Sequence, residues 1–331
     1  MSLNKSNDEL CVDNGVRAVR VAVCSRSFSH NLILRTELLA RYPQVTFNDA
    51  GLQLKGGALI EFLRGHDKAI TALEPIDEHI LAHLPELQVI SKYGVGLDMI
   101  DMAAMRAHGK RLGWVGGVNR RSVSELVISF AIAMLRHVPA AHREVLSGTW
   151  RQHVGGNLSG RTVGIIGCGH VGKDLVKLLQ PFGCPILVND IRNYADFYAA
   201  NGIKAVNLEE LLAQSDIVTL HVPLDESTHG MLDTKRLALL KPNCVLINVA
   251  RGGLVDEVIL KQMLLDKRIA AAAFDVFAVE PPQDQELLSL ANFLVTPHIG
   301  GSAEEAILAM GRAAINGLDE NEIPESGSWP S

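Results

Sequence analysis

The chain has 331 residues, more than one compact core usually needs at about 100–200 residues per domain, so two domains are expected. Its 31 Lys and Arg against 37 Asp and Glu give a net charge of −6, which leaves no cationic excess for holding nucleic acid or an anionic membrane. With 47% apolar and 21% charged residues it falls among packed globular chains and outside the disordered and fibrous classes.

Residues 1–17 are polar and lack the apolar stretch of a signal peptide, so they read as a loose tail on a cytoplasmic protein. From Arg20 short β-branched runs alternate with helix-like segments, the pattern of βαβ units and a parallel sheet. Strands are predicted at 19–24, 45–47, 69–72, 89–91 and 112–115, with helices such as 32–41 and 77–83 between them. A helix follows over 122–138, opening on Ser122-x-x-Glu125, a capping box in which each side chain satisfies the other's orphaned backbone N–H. Its middle reads as apolar on every face, which predicts burial against another domain or, preferably, a second subunit in a homodimer. The run 126–135 is too short to span a bilayer, which takes about 20 residues.

A second series of strands is predicted at 162–166, 186–190, 217–222, 245–249, 271–275 and 294–296, enough for a dinucleotide-binding sheet. The segment 303–316 has apolar or small residues at helical spacing. Cys11, Cys24, Cys168, Cys184 and Cys244 form an odd set without C-x-x-C, which argues for reduced thiols rather than a disulfide framework or zinc knuckle. His79 and His83 share a helix face, but no third metal ligand accompanies them and no metal is expected.

The stretch TVGIIGCGHVG places Gly167-x-Gly169-x-x-Gly172 between a β-branched run and an apolar-periodic helix. Such glycines permit a tight turn, close backbone approach to a pyrophosphate and helix packing, while the helix N-terminus attracts the phosphate charge. Asp190 closes the next strand near the ~20-residue spacing of an acidic ribose ligand, which favours NAD over NADP. Arg192 beside it tempers that preference. Cys168 and His170 are explained by cofactor packing rather than nucleophilic catalysis.

Ligands of doubly wound sheets sit outside the carboxyl ends of the strands, and the polar residues there are few. They are His221 before Pro223, Arg251, Asp275 followed by Glu280, and His298. A cation, a carboxylate and a histidine can serve hydride transfer on a 2-hydroxy or 2-oxo acid. Arg251 can grip the substrate carboxylate with two hydrogen bonds. His298 can exchange the proton on the substrate oxygen, with Glu280 orienting its ring.

At these residues the sequence resembles the D-isomer-specific 2-hydroxyacid dehydrogenase family, from about Val19 to Asn316, through GCGHVG, NVARGGLVDE, DVFAVEPP and TPHIGG. The resemblance implies that Arg251, Glu280 and His298 are catalytic in those roles. It implies an α/β fold in which a Rossmann-type NAD domain (118–300) is inserted into a smaller, flavodoxin-like substrate domain (18–117 and 301–331), with crossings near Gly117 and Gly300. Relatives close the two domains over the substrate and are usually dimers built on the helix after the first crossing. The implied NAD contacts are His170, Val171, Asp190, Pro223, Thr228, Val249, Ala250, Asp275 and His298, beside the three turn glycines, with His221 and Gly300 placed with the cofactor too.

KYGVGLDMID is similar to the family's substrate loop, with Lys92, Tyr93, Gly94, Val95 and Gly96 placed against the substrate, its carboxylate on the loop's backbone N–H groups. The sequence departs from the family pattern at Arg120 and Arg121, which are either solvated or, with Lys92, contacts for a second anionic group on the substrate. No long segment follows the last helix, so a regulatory module like that of some phosphoglycerate dehydrogenases is not expected. Two alternatives share the fold: a non-enzymatic NAD(H) sensor and a formate- or phosphite-type dehydrogenase.

Overall fold

The computed structural model describes residues 18–325; the expected tail, with Cys11, lies outside the described residues. The β-branched runs form strands and the intervening segments helices. The first series gives β1 (Arg20–Val23), β2 (Gln44–Phe47), β3 (Lys68–Thr71), β4 (Val89–Lys92) and β5 (Arg111–Gly113). They pair in the order β2-β1-β3-β4-β5, all in parallel, the flavodoxin-like arrangement. Helix Leu32–Arg41 starts where the Asn31 side chain accepts the Leu34 N–H, and Asp77 and Asp101 cap later helices in the same manner.

The second series gives β6 (Val163–Ile166), β7 (Ile186–Asn189), β8 (Lys204–Ala205), β9 (Ile217–Leu220), β10 (Val245–Asn248), β11 (Ala271–Phe274) and β12 (Phe293–Val295). Their order is β12-β11-β10-β9-β6-β7-β8, again all parallel. Read from β8 to β11 this is the Rossmann order 3-2-1-4-5-6, with β12 added at one edge. β6, β9, β10 and β11 are buried throughout, as strands covered on both faces must be.

The chain divides into two compact units: one runs up to Trp114 and resumes at Gly311, the other is Val115–Met310. Helix Glu304–Gly317 carries the chain from the second back to the first.

Three expectations are corrected. The second sheet has seven strands rather than six, because β8 is two exposed residues, Lys and Ala, without the apolar alternation that marks a strand. The capping box at Ser122 does not form. The helix begins earlier, at Arg120, so Ser122 already lies inside it and its hydroxyl donates to the Gly300 carbonyl (2.6 Å). The helix ends at Leu135, and His137 in the left-handed region (φ 55°) starts a second helix, Val138–Leu146. Its middle, 126–135, is apolar but for Ser129: Val127, Phe130, Ala131 and Met134 pack into their own unit, while Ser129 and Ile132 are exposed. Among the described residues no single helix is long and apolar enough to cross a membrane.

Candidate functional site

Within Val115–Met310 the sequence-predicted residues collect at the carboxyl ends of β6, β7, β9, β10, β11 and β12. The turn after β6 needs its three glycines for different reasons. Gly167 has φ 93°, and a Cβ there would stand 2.6 Å from the His221 carbonyl oxygen. A Cβ on Gly172 would stand 2.3 Å from the Gly167 carbonyl oxygen, so this glycine lets the helix pack against the turn. A Cβ on Gly169 would meet nothing within 4 Å. Gly169 precedes the ten-residue helix His170–Leu179, whose first N–H groups have no side-chain cap and lie at the positive end of the helix dipole. Such a cradle fits a dinucleotide pyrophosphate.

Asp190, just beyond β7, folds back onto the turn: Oδ2 accepts the Cys168 N–H (2.6 Å) and Oδ1 the Arg192 N–H (2.7 Å). Burial, with the Asp190 charge adding to it, pushes the Cys168 thiol up to about 11, so it is not a thiolate at neutral pH. The imidazole of His170, first in the helix, lies against Gly117, where a Cβ would stand 2.4 Å from its ring. Burial, with Arg120 and Lys173 nearby, holds His170 below the usual histidine range. Val171 is half-buried, its carbonyl accepting from Ser124.

After β9, burial lowers His221 to about 3, keeping it a neutral ring beside the Thr219 hydroxyl (3.0 Å). The carbonyl of Pro223 accepts from the Thr228 hydroxyl (2.7 Å), so Thr228 closes its own turn. After β10, Val249 is buried and the Asn248 side chain pins the chain on both sides. Its Oδ1 accepts the Ala250 N–H (3.1 Å) and its Nδ2 donates to the Arg251 carbonyl (2.8 Å). The Arg251 guanidinium donates to the Ala250 carbonyl (2.7 Å).

Asp275, only 1% exposed, ends β11 and collects the loop after β12. One oxygen accepts the Ile299 N–H (2.7 Å) and the Thr296 hydroxyl, the other the Gly300 N–H (2.7 Å). Its carbonyl accepts the His298 N–H (2.9 Å). His298 sits in the left-handed region (φ 55°), and its Nδ1 lies 2.9 Å from Glu280 Oε2. The other Glu280 oxygen accepts the Phe277 N–H (3.1 Å). A carboxylate only accepts, so the imidazole proton sits on Nδ1 and Nε2 is left to exchange a proton. A cavity of about 510 Å³ opens beside the pair, lined by Phe277, Pro281, Pro282, Leu288, Val295 and Pro297 among others.

Two neighbouring residues escaped the sequence reading. Asn248 looks like the last strand residue and shows its role only through the turn it pins. Asn119, 8% exposed, precedes the Arg120–Leu135 helix with its Oδ1 buried and without a partner, a polar atom suited to a ligand. Arg121 is committed to Asp174 (Nε to Oδ2 3.0 Å), and Arg120 donates to the Gly117 carbonyl (3.1 Å). A second anionic group on the substrate therefore finds neither guanidinium free of other bonds.

In the first unit, the loop after β4 is held by its own surroundings. The Lys92 ammonium, on a residue 5% exposed, donates to the Ala72 carbonyl, and Tyr93 packs edge-on against Phe28. Gly94 has φ 122°, the Val95 carbonyl accepts from the Trp114 indole (3.1 Å), and Gly96 is half-buried. Among the described residues no group of three or more His, Cys, Asp or Glu could hold a metal ion.

Residues 128–300 match the family model described as D-isomer specific 2-hydroxyacid dehydrogenase, NAD binding domain. A glyoxylate reductase of Thermococcus litoralis is 34% identical over 281 residues, covering 81% of this chain and 85% of its own length. A D-3-phosphoglycerate dehydrogenase of Mycobacterium tuberculosis is 35% identical over 233 residues, covering 70% of this chain and 44% of its own length. The aligned region thus spans less than half the length of that relative. A solved D-isomer specific 2-hydroxyacid dehydrogenase from Polaromonas superposes with a TM-score of 0.83 at 29% identity, covering 92% of this chain and 96% of that one.

Proposed function

Because the chain belongs to the D-isomer specific 2-hydroxyacid dehydrogenase family, its second unit carrying the NAD-binding domain, we propose that it interconverts a D-2-hydroxy acid and its 2-oxo acid. The observation that supports this most is the His298–Glu280 contact of 2.9 Å at the end of β12, on the same sheet edge as the glycine turn. The nicotinamide, when bound, supplies or takes the hydride at substrate C2. Arg251 holds the substrate carboxylate through paired N–H donors. His298 Nε2 gives a proton to the substrate oxygen in reduction and takes it back in oxidation. Glu280 keeps the other ring proton on Nδ1 and stabilises the imidazolium that forms during oxidation.

The glycine turn and helix His170–Leu179 would hold the pyrophosphate, and Asp190 the ribose hydroxyls, which supports NAD over NADP. The remaining cofactor contacts we assign to His170, Val171, His221, Pro223, Thr228, Val249, Ala250, Asp275 and Gly300. For the first unit we propose that the backbone N–H groups from Tyr93 to Gly96 receive an anionic group. The domain limits that go with this reading are 118–300 for NAD and 18–117 with 301–331 for substrate.

The test is NADH oxidation at 340 nm with a panel of 2-oxo acids, from glyoxylate and hydroxypyruvate to phosphohydroxypyruvate and bulkier members. Arg251→Ala and His298→Ala are each expected to lower turnover about 10³-fold while NADH still binds. Asp190→Ala is expected to raise the preference for NADPH about tenfold. Unchanged turnover in folded Arg251 and His298 variants refutes the assignment.

We also propose a homodimer through the region of residues 122–138 and the helix after it. Helix Val138–Leu146 buries none of its residues, and Val138, Val145, Leu146, Trp150 and Val154 are all at least half exposed. Light scattering at micromolar concentration should give twice the chain mass; a monomer overturns this part.

A further inference from the structure

His298 is the one proposed catalytic side chain on left-handed backbone, and the loop that carries it is held from two sides. A non-glycine residue is strained in that region, so the conformation persists only where its surroundings impose it. On one side stands Asp275, which takes the Ile299 and Gly300 N–H groups and the Thr296 hydroxyl, as described above. On the other stands Ser122. Its hydroxyl donates to the Gly300 carbonyl at 2.6 Å and accepts the Ala303 N–H at 3.4 Å.

The placement of Ser122 is unusual for a serine. Inside a helix its hydroxyl would ordinarily bond back to the carbonyl one turn earlier. Here it leaves the helix and spans from the stretch where the chain enters this unit to the stretch shortly before it leaves. The contact is close on both sides of the bond. A Cβ on Gly300 would stand 3.6 Å from the Val123 side chain and 3.1 Å from the Asp275 carboxylate, and one on Gly301 3.1 Å from the Asn119 amide. Gly300 is buried, so its carbonyl has no easy recourse to water if Ser122 is removed.

We infer that Ser122 is a positioning residue for His298: by holding the Gly300 carbonyl it fixes the far end of the loop and so keeps the imidazole Nδ1 on Glu280. This deepens the acid–base reading of His298 and rests on it. A hydrogen bond of 2.9 Å tolerates little displacement, and a shift of the ring spoils both its orientation and the aim of Nε2.

The experiment compares the wild type with Ser122→Ala and Ser122→Thr in the full chain. Ser122→Ala is expected to lower kcat about tenfold with the NADH dissociation constant unchanged within twofold, and Ser122→Thr, which keeps the hydroxyl, to restore most of it. A second readout needs no substrate. The imidazole Nδ1 proton of His298, hydrogen-bonded to Glu280, should give a downfield proton resonance in the wild type at low temperature, where exchange with water is slow, identified by its loss in His298→Ala. That resonance should broaden or vanish in Ser122→Ala. If Ser122→Ala fails to fold, Ser122→Cys, of similar size but a weak donor, answers the same question. Unchanged kcat and an unchanged Nδ1 resonance overturn the role of Ser122, even where His298→Ala is inactive and the acid–base reading stands. An active His298→Ala overturns that reading itself, and the resonance then reports on loop positioning alone.

Discussion

At the carboxyl ends of β6, β7, β9, β10, β11 and β12 the seven-stranded sheet sets out Asp190, His221, Arg251, Asp275 and His298, side chains with chemistry to offer. The five-stranded sheet, built by the same parallel alternation, ends differently. At the ends of β3 and β4 polar side chains turn inward: Lys92 onto the Ala72 carbonyl and Ser91 onto the Ala314 carbonyl (2.6 Å), while Ala72 N–H is taken by Glu74 (2.6 Å). The ligand groups proposed for its loop from Tyr93 to Gly96 are backbone N–H groups. The second sheet also spends strand-end side chains on the fold, Asp190, His221 and Asp275 among them, but it leaves the His298–Glu280 pair exposed. Side chains left outward can discriminate and move protons; backbone N–H groups can only receive an anion.

Glu280→Gln probes the first half of this contrast, because an amide keeps the size and removes the charge beside the imidazole. Turnover should fall about 10–100-fold in both directions, because the imidazolium is the acid in reduction and is formed in oxidation, as initial rates in both directions will show. Lys92→Met probes the second half and should do less to activity. It strands the Ala72 carbonyl, at a cost of roughly 1–3 kcal/mol in denaturant unfolding, with kcat/KM staying within about twofold. A large loss of kcat/KM for phosphorylated substrates without loss of stability would instead make Lys92 a ligand and erase the distinction between the sheets.

Much of this was legible from residue order. Each strand was foreshadowed by a short apolar run except β8, whose Lys204 and Ala205 take their pairing from β7 rather than from any pattern of their own. The glycine turn was readable because its helix, strand and glycines are contiguous in sequence. Contacts between distant segments were not. Ser122-x-x-Glu125 has the composition of a capping box, and only the presence of Gly300, far along the chain, redirects the hydroxyl. Asp174 claims Arg121 in the same way. Asn248 and Asn119 look like ordinary strand-end and helix-start residues until the turns around them exist.

The open space at Gly169 has a bearing on protein engineering. Stiffening loops by replacing glycine with alanine is a common route to thermostability, and it is usually judged by melting temperature. Gly167 and Gly172 would report their own unsuitability, since a methyl group at either strikes backbone. Gly169 would report it less plainly: a methyl there meets nothing within 4 Å, and the objection lies only in the backbone, whose φ of −75° and ψ of −144° fall outside the regions that side-chain-bearing residues favour. Melting temperature alone therefore does not report whether the cradle proposed for the pyrophosphate survives a side chain at Gly169, and a cofactor-binding assay has to accompany it.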